Sequence, residues 1–351
     1  MTKKRVILTA VAMSTAAILG IAALQRLLMP KYMSDVVEGN LIADYYNSSY
    51  DHDVLFIGDC EVYENISPVK LWEDYGISSY IRGSAQQLIW QSYYLLEDAL
   101  RYETPDVVVF NVLSMKYAEP QNEAYNRMSI DGMRWSMSKV NAIRASMTEE
   151  EDFWSYVFPI LRYHSRWNDL KKEDFIYYFG ADPDFYAGYY LRADVKAAEN
   201  VPQGRPLTDY SFGQICWDYL DKMRLLCEEK GIDFVLIKAP SLYPYWYEEW
   251  NTQIEEYAVK NNLVYLNFLE DTMLSETGID FSADTYDAGL HLNVYGAEKL
   301  SVWLGDFFVK QYALTDRRGE AALAAQWDTI SKEYYEEWER QLRELKQTES
   351  Q

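Results

Sequence analysis

Four apolar residues, Val54-Leu55-Phe56-Ile57, run directly into Gly58-Asp59-Cys60-Glu61. This reads as a buried parallel strand that ends in a tight turn, with a thiol held at its carboxyl end. In open α/β sheets that edge is where ligands bind. A thiol there is either a nucleophile or a small buried hydrophobe, because free cysteine is among the most buried residue types. The chain has only three histidines, and His291 sits in a glycine-containing loop just before a helix. Catalytic groups concentrate in loops positioned by a rigid sheet. The segment His164-Ser165-Arg166-Trp167 is a third candidate. His164 and Arg166 cannot share one face of a helix, so they suit a loop or a helix end. They read either as a packed histidine beside a surface arginine, or as a substrate clamp with Arg166 on a carboxylate or phosphate. His52, next to Asp53 at the start of the first strand, is on the wrong end of the sheet for catalysis. No His/Cys/Asp cluster has ligand spacing, so neither a metal nor another cofactor is expected.

These residues need a scaffold, and hydropathy patterning supplies one. Strands are expected at 53–58, 77–82, 107–111, 234–239 and 264–267. Helices are expected at 68–75, 86–102, 210–230, 246–261 and 295–312. The βαβαβ alternation of the first half implies a parallel sheet with right-handed crossovers. The pattern breaks from Ser114 to about Leu207, a stretch rich in Tyr, Trp, Met, Arg and Asn with no clear strands and one plausible helix over 153–170. An insertion of this length builds a lid, a substrate platform or a helical cover for the sheet. From Arg317 onward the chain reads as a charged amphipathic helix that packs on the domain or on a partner.

The N-terminus carries Lys3-Lys4-Arg5 and then about twenty apolar or small residues, Val6 to Gln25. That length fits a single membrane span, and the basic cluster predicts that the N-terminus stays cytoplasmic while the rest is exported. The apolar run is long for a cleaved signal peptide and has no convincing cleavage site before Pro30, so an uncleaved anchor is expected. The formal net charge of −22 argues against nucleic acid, which needs a basic patch to replace phosphate counterions. The three cysteines make no disulfide framework. Cys216 and Cys227 fall on one expected helix, roughly 16 Å apart at ~1.5 Å per residue, too far to bridge.

The second informative stretch, Asp284-Thr285-Tyr286-Asp287-Ala288-Gly289-Leu290-His291-Leu292-Asn293, leads into Gly296-Ala297-Glu298-Lys299-Leu300. Together with Val54–Asp59, this block resembles the SGNH/GDSL hydrolases. The likeness is greatest to their exported branch, which includes cell-envelope acyltransferases and the D-alanyl-transfer protein of teichoic acid esterification. It covers roughly 51–113 and 208–313 and leaves the insertion unexplained. In that family a serine at the end of the first strand is the nucleophile, and Cys60 stands in its place here. The resemblance makes His291 the general base and Asp287 its orienting carboxylate, and it makes Gly83 and Asn111 the oxyanion donors. The family spaces its aspartate three residues before the histidine, where this chain has Ala288. Asp287 is four residues before and Asp284 seven before, so the loop must adjust by a residue, and Asp284 is the alternative orienter. Asp59, His164 and Arg166 are candidate substrate-binding residues.

The resulting expectation is a flavodoxin-like α/β/α sandwich of five parallel strands with an α-rich insertion. Residues 1–30 form the basic tip and membrane anchor, 31–52 a juxtamembrane lead-in, 53–313 the α/β domain with its insertion at 114–207, and 314–351 the terminal helix. The resemblance implies a single-pass protein of the cell membrane whose exported domain acts on acyl esters of envelope glycans or glycolipids. For a transferase it also implies a multi-pass membrane acyl-donor partner. The competing expectation is a non-catalytic envelope glycan-binding or assembly protein on the same fold. The two separate on the reactivity of Cys60, since a low-pKa thiol alkylates quickly near neutral pH and a buried structural one does not.

Overall fold

The computed structural model describes residues 2–30, 41–48, 50–178 and 186–349. Residues 31–40 and 49 of the expected lead-in and 179–185 of the insertion lie outside the described residues. Five parallel strands form one sheet: β1 (Val54–Gly58), β2 (Ser79–Gly83), β3 (Val107–Asn111), β4 (Asp233–Lys238) and β5 (Val264–Asn267), in the order β2-β1-β3-β4-β5. This is the flavodoxin-like order, whose topological switch point lies between β1 and β3. Every residue of β1, β2 and β3 is buried, as expected for central parallel strands covered on both faces. The register pairs Gly58 with Gly83, and Phe110 with both Ile57 and Leu236. The carboxyl ends of three strands therefore finish together.

The helices, in chain order, begin with α1 (Lys3–Leu28), α2 (Cys60–Tyr63), α3 (Pro68–Tyr75) and α4 (Ile89–Ala99). The insertion contributes α5 (Glu123–Ile130), α6 (Met137–Ser146), α7 (Phe153–Val157), α8 (Ile160–Tyr163) and α9 (Lys172–Tyr178). The chain then continues with α10 (Gln214–Lys230), α11 (Glu248–Asn261), α12 (Asp271–Thr277), α13 (Val294–Tyr312) and α14 (Ala321–Glu349). The short α12 lies in what the sequence presents as a continuous loop. Packing of α3 against α13 and α14 builds one helical layer, and packing of α4 against α10 and α6 builds the other.

α14 packs on the domain itself. Trp327 and Tyr334 are fully buried, and Trp327 stacks on Trp72 of α3 with ring centroids 5.4 Å apart. Burying each such ring contributes roughly 1.5–3 kcal/mol, and the stacking adds about 0.5–1.5 kcal/mol. Cys216 and Cys227 are buried and unpaired within the core cluster.

α1 spans 26 residues, about 39 Å at 1.5 Å per residue, and is long and apolar enough to cross a membrane. Its side chains are exposed until its last turn, where Leu28 is buried. The helix expected over 153–170 is interrupted at Phe158-Pro159, where proline ends α7, and a 3-10 segment occupies His164–Asn168. α8, this segment and α9 all touch α1. Arg166 Nη1 donates to the Leu28 carbonyl at 2.6 Å, and Nη2 pairs with Asp174 at 3.0 Å. Arg166 thus closes the C-terminal end of α1, a place where cations are favoured.

Candidate active site

β1 ends at Gly58, where the chain has no room for a side chain. A Cβ at Gly58 would lie 2.6 Å from Val62 Cγ2 and 3.0 Å from the Asn111 Cβ. Asp59 then caps α2, its carboxylate accepting from the Glu61 N–H at 3.2 Å. This turn puts Cys60 at the first position of α2, half-buried at the carboxyl edge of the sheet. Gly83 ends the neighbouring strand, packed so tightly that a Cβ there would sit 3.1 Å from the Gly58 carbonyl oxygen.

His291 arrives from the β5–α13 connection, 231 residues further along the chain. Asp287 binds it twice: Oδ2 accepts from Nδ1 at 2.7 Å, and Oδ1 accepts from the His291 N–H at 2.8 Å. The turn between them holds two successive residues at positive φ, Ala288 at 67° and Gly289 at 100°. That left-handed pair absorbs the extra residue between carboxylate and imidazole, at a strain cost carried by the alanine. Tyr243 Oη donates to the Asp287 carbonyl at 2.5 Å, and the Leu242 N–H donates to the Gly289 carbonyl at 2.7 Å, fixing the loop from the β4 side. Fully buried Asn65 joins both sides of the cleft, accepting from the Leu292 N–H and donating to the Pro240 carbonyl. Asp284 is occupied elsewhere. Its Oδ2 takes Lys299 Nζ at 2.5 Å and the Asp280 N–H at 2.7 Å, tying the loop to α13.

Cys60 and His291 couple directly. Burial pushes the thiol up to about 11, while contact with His291 pulls it back toward the charged form. Burial also opposes the imidazolium, but the hydrogen bond to Asp287, the Cys60 sulfur and the charge of Glu64 outweigh it and lift His291 to about 12. Nε2, the nitrogen left over by Asp287, is buried and makes no geometrically complete hydrogen bond. Burial thus favours the neutral thiol, while Asp287 and Glu64 favour the imidazolium.

Glu64 is a site residue that the motif reading missed. It is buried, 3.5 Å from His291 Nδ1, and hydrogen-bonded to the hydroxyl of Tyr286. Burial raises its carboxyl, against the pull of His291. The available signal was its position four residues after Cys60 at a helix start, which places the two on one face. Tyr286 stacks against His291 with centroids 6.0 Å apart, and the Arg192 guanidinium lies 4.3 Å from the Tyr286 ring.

Beneath the thiol lies a closed polar network. Lys238 Nζ contacts both Glu61 carboxylate oxygens at 2.9 and 2.8 Å, and both side chains are fully buried. Ser241 Oγ donates to Glu61 at 2.7 Å. Asn111 Nδ2 donates to Asp59 at 3.1 Å and to Glu61 at 3.0 Å, and its Oδ1 accepts the Ala239 N–H at 3.0 Å. Both amide hydrogens of the expected oxyanion donor are thus directed at carboxylates. Burial and the adjacent Glu61 raise the Asp59 carboxyl, with Lys116 and Lys238 opposing. A lysine inside the apolar run Phe234–Ala239 was the visible clue to this network.

Of the expected site residues, the fold brings together Cys60, His291, Asp287, Asp59, Asn111 and Gly83. It does not bring in Arg166, committed to Leu28 and Asp174, nor exposed His164, which lies in the same 3-10 segment beside α1. Of the two readings of this segment, a substrate clamp is not placed at the sheet edge, because the guanidinium finds a helix terminus and a buried carboxylate instead.

No family model matches the chain, and no curated protein matches it in sequence. Among solved structures, a proposed acylhydrolase of Bacteroides fragilis is 12% identical with a TM-score of 0.38, over 79% of this chain and 98% of that one. A GDSL-like lipase of Bacteroides thetaiotaomicron is 14% identical with a TM-score of 0.33, over 74% and 88%. At these values the chemistry of the site rests on its own geometry.

Proposed function

We propose that this chain is a membrane-anchored acyl-ester enzyme, a transferase or esterase, that works through a Cys60–His291–Asp287 acyl-enzyme. The observation that carries the reading is the buried, unpartnered Nε2 of an imidazole that Asp287 grips on its other side and that couples to the thiol. Once the thiol has lost its proton, the Cys60 thiolate attacks the acyl carbonyl beside the protonated His291. The imidazolium then gives its Nε2 proton to the departing alkoxide, leaving a thioester and a neutral imidazole. Water or an acceptor hydroxyl takes the acyl group in the second half, with His291 removing its proton. Gly83 and Asn111 are the proposed oxyanion donors, and an acyl oxygen would compete with Asp59 for the Asn111 amide. The substrate class we assign is an acyl ester of an envelope glycan or glycolipid, with the domain exported, α1 in the cell membrane, and a multi-pass membrane protein as acyl donor in the transferase case.

One observation favours a second reading, a non-catalytic glycan-binding or assembly protein: burial holds the Cys60 thiol well above the range of a standing thiolate. Intact-mass spectrometry after exposure to an activated acetyl ester at pH 9 separates the two. A single adduct mapped to Cys60 and lost in Cys60→Ala supports the enzyme. No adduct above the Cys60→Ala background supports the binding protein.

A further inference from the structure

The insertion presents a row of large apolar side chains to solvent. Trp154 is 58% exposed, Leu161 55% and Trp167 67%, and Phe158 and Phe175 are also exposed. Monomeric soluble surfaces rarely gather this many large apolar groups without a partner. Trp154 and Phe158 stack at 6.2 Å between centroids, so they form one continuous face. These residues belong to α7 and its C-terminal cap Phe158, α8, the 3-10 segment and α9, and the last three elements touch α1. Arg166, next to Trp167, is bonded to the carbonyl of Leu28 at the end of α1. Arg26 of α1 in turn lies 5.3 Å from the Tyr178 ring of α9.

The local charge is opposite to that of the whole chain. Over 153–178 the four basic residues Arg162, Arg166, Lys171 and Lys172 outnumber the three acidic ones, Asp169, Glu173 and Asp174, in a protein of net charge −22. Exposed tryptophan and phenylalanine with basic residues alongside is the composition that settles at the boundary between headgroups and acyl chains.

We infer that the α7–α9 face is a second membrane contact, a monotopic patch that lies in the lipid interface beside the exit of α1 and pins the orientation of the domain over the bilayer. This rests on the reading of α1 as a membrane span. A single helix leaves the domain free to pivot on its tether, whereas a second contact fixes how far the Cys60 edge stands from the lipid surface.

The test uses the full chain in vesicles of equal parts phosphatidylcholine and phosphatidylglycerol. The vesicles carry a phosphatidylcholine with a photoactivated diazirine near the top of one acyl chain, and adducts are mapped by peptide mass spectrometry. Adducts both within 3–28 and within 153–178 are expected. In Trp154→Glu/Trp167→Glu the adducts on 153–178 should fall at least fivefold while those on 3–28 persist. Adducts confined to 3–28 would overturn the patch and leave the anchor standing, assigning the apolar face to a protein partner. Adducts on neither segment would overturn both.

Discussion

Two histidines of this protein are each gripped by a carboxylate, at opposite ends of one sheet. At the amino end, His52 Nδ1 meets Glu103 Oε2 at 2.8 Å, the His52 N–H donates to the same oxygen at 2.9 Å, and Nε2 meets Ser48 Oγ at 3.1 Å. At the carboxyl end, Asp287 takes Nδ1 and the main-chain N–H of His291 in the same way, but Nε2 is left buried without a complete hydrogen bond. The first imidazole has every polar atom satisfied, whereas the second keeps one nitrogen in reserve beside a thiol. A list of residue types would rank Ser48, His52 and Glu103 as the better triad. Polar satisfaction ranks them the other way, because a buried polar group that stays unpaired costs about 1–3 kcal/mol and persists where a function needs it.

The comparison breaks most visibly in a reciprocal pair of variants. His291→Ala should slow acyl transfer to Cys60 by about 10²–10⁴-fold, the usual contribution of a general acid–base group. His52→Ala should leave that rate within a few-fold but destabilise by roughly 2–5 kcal/mol, because buried Glu103 loses its partner; acylation kinetics and thermal melts on both variants check this. Equal effects of the two variants on the acylation rate would erase the distinction.

A charge removed from beneath the site gives the next largest effect. Lys238→Met should cost about 3–5 kcal/mol by stranding the Glu61 carboxylate, and Glu61→Leu in the same chain should recover most of that, as read by denaturant unfolding. The two aspartates of the histidine loop come third. Asp287→Asn should slow Cys60 acylation by about 10²-fold or more, whereas Asp284→Asn should leave the rate alone and lower the melting temperature by a few degrees through its lost pairing with Lys299. Ser48→Ala is the smallest, about 0.5–1.5 kcal/mol with no change in acylation rate.

The pH signs of the two ends also differ. Burial opposes ionisation of Glu103, yet the hydrogen bonds from His52 outweigh it and lower the carboxyl. Its stabilisation is present above the ordinary glutamate range and is lost as acid protonates the Glu103 carboxylate. His291 is raised instead, so its contribution is full below about 6.5, its unfolded value, and fades as pH climbs toward about 12.

The parts of this fold that the chain announces are the local ones. The apolar run ending in Gly58 marks β1 by strand periodicity, and Asp287 to His291 lies within one loop that the resemblance to the SGNH/GDSL hydrolases picked out. The choice of Asp287 over Asp284 turned on a backbone detail, the left-handed Ala288-Gly289 pair, which Gly289 hinted at. Glu61 with Lys238, 177 residues apart, is a tertiary pairing that no local pattern encodes. The two readings of Arg166 could not be separated in the sequence for the same reason: one of its partners is the end of a helix 138 residues away. His52 was set aside for its position alone, and its satisfied hydrogen bonds supply the physical reason.

The most direct test of the Cys60–His291 acyl-enzyme is the pH dependence of its formation, followed by intact mass from pH 6 to 10 in the native chain and in His291→Ala. Because burial holds the thiol above its ordinary range, the native rate should climb steadily from pH 6 to 10. The adduct should map to Cys60, and the rate should exceed that of His291→Ala by about 10²-fold or more at every pH. Superimposable profiles for the two proteins, or no adduct on Cys60 at any pH, would contradict the account and leave the site a binding surface.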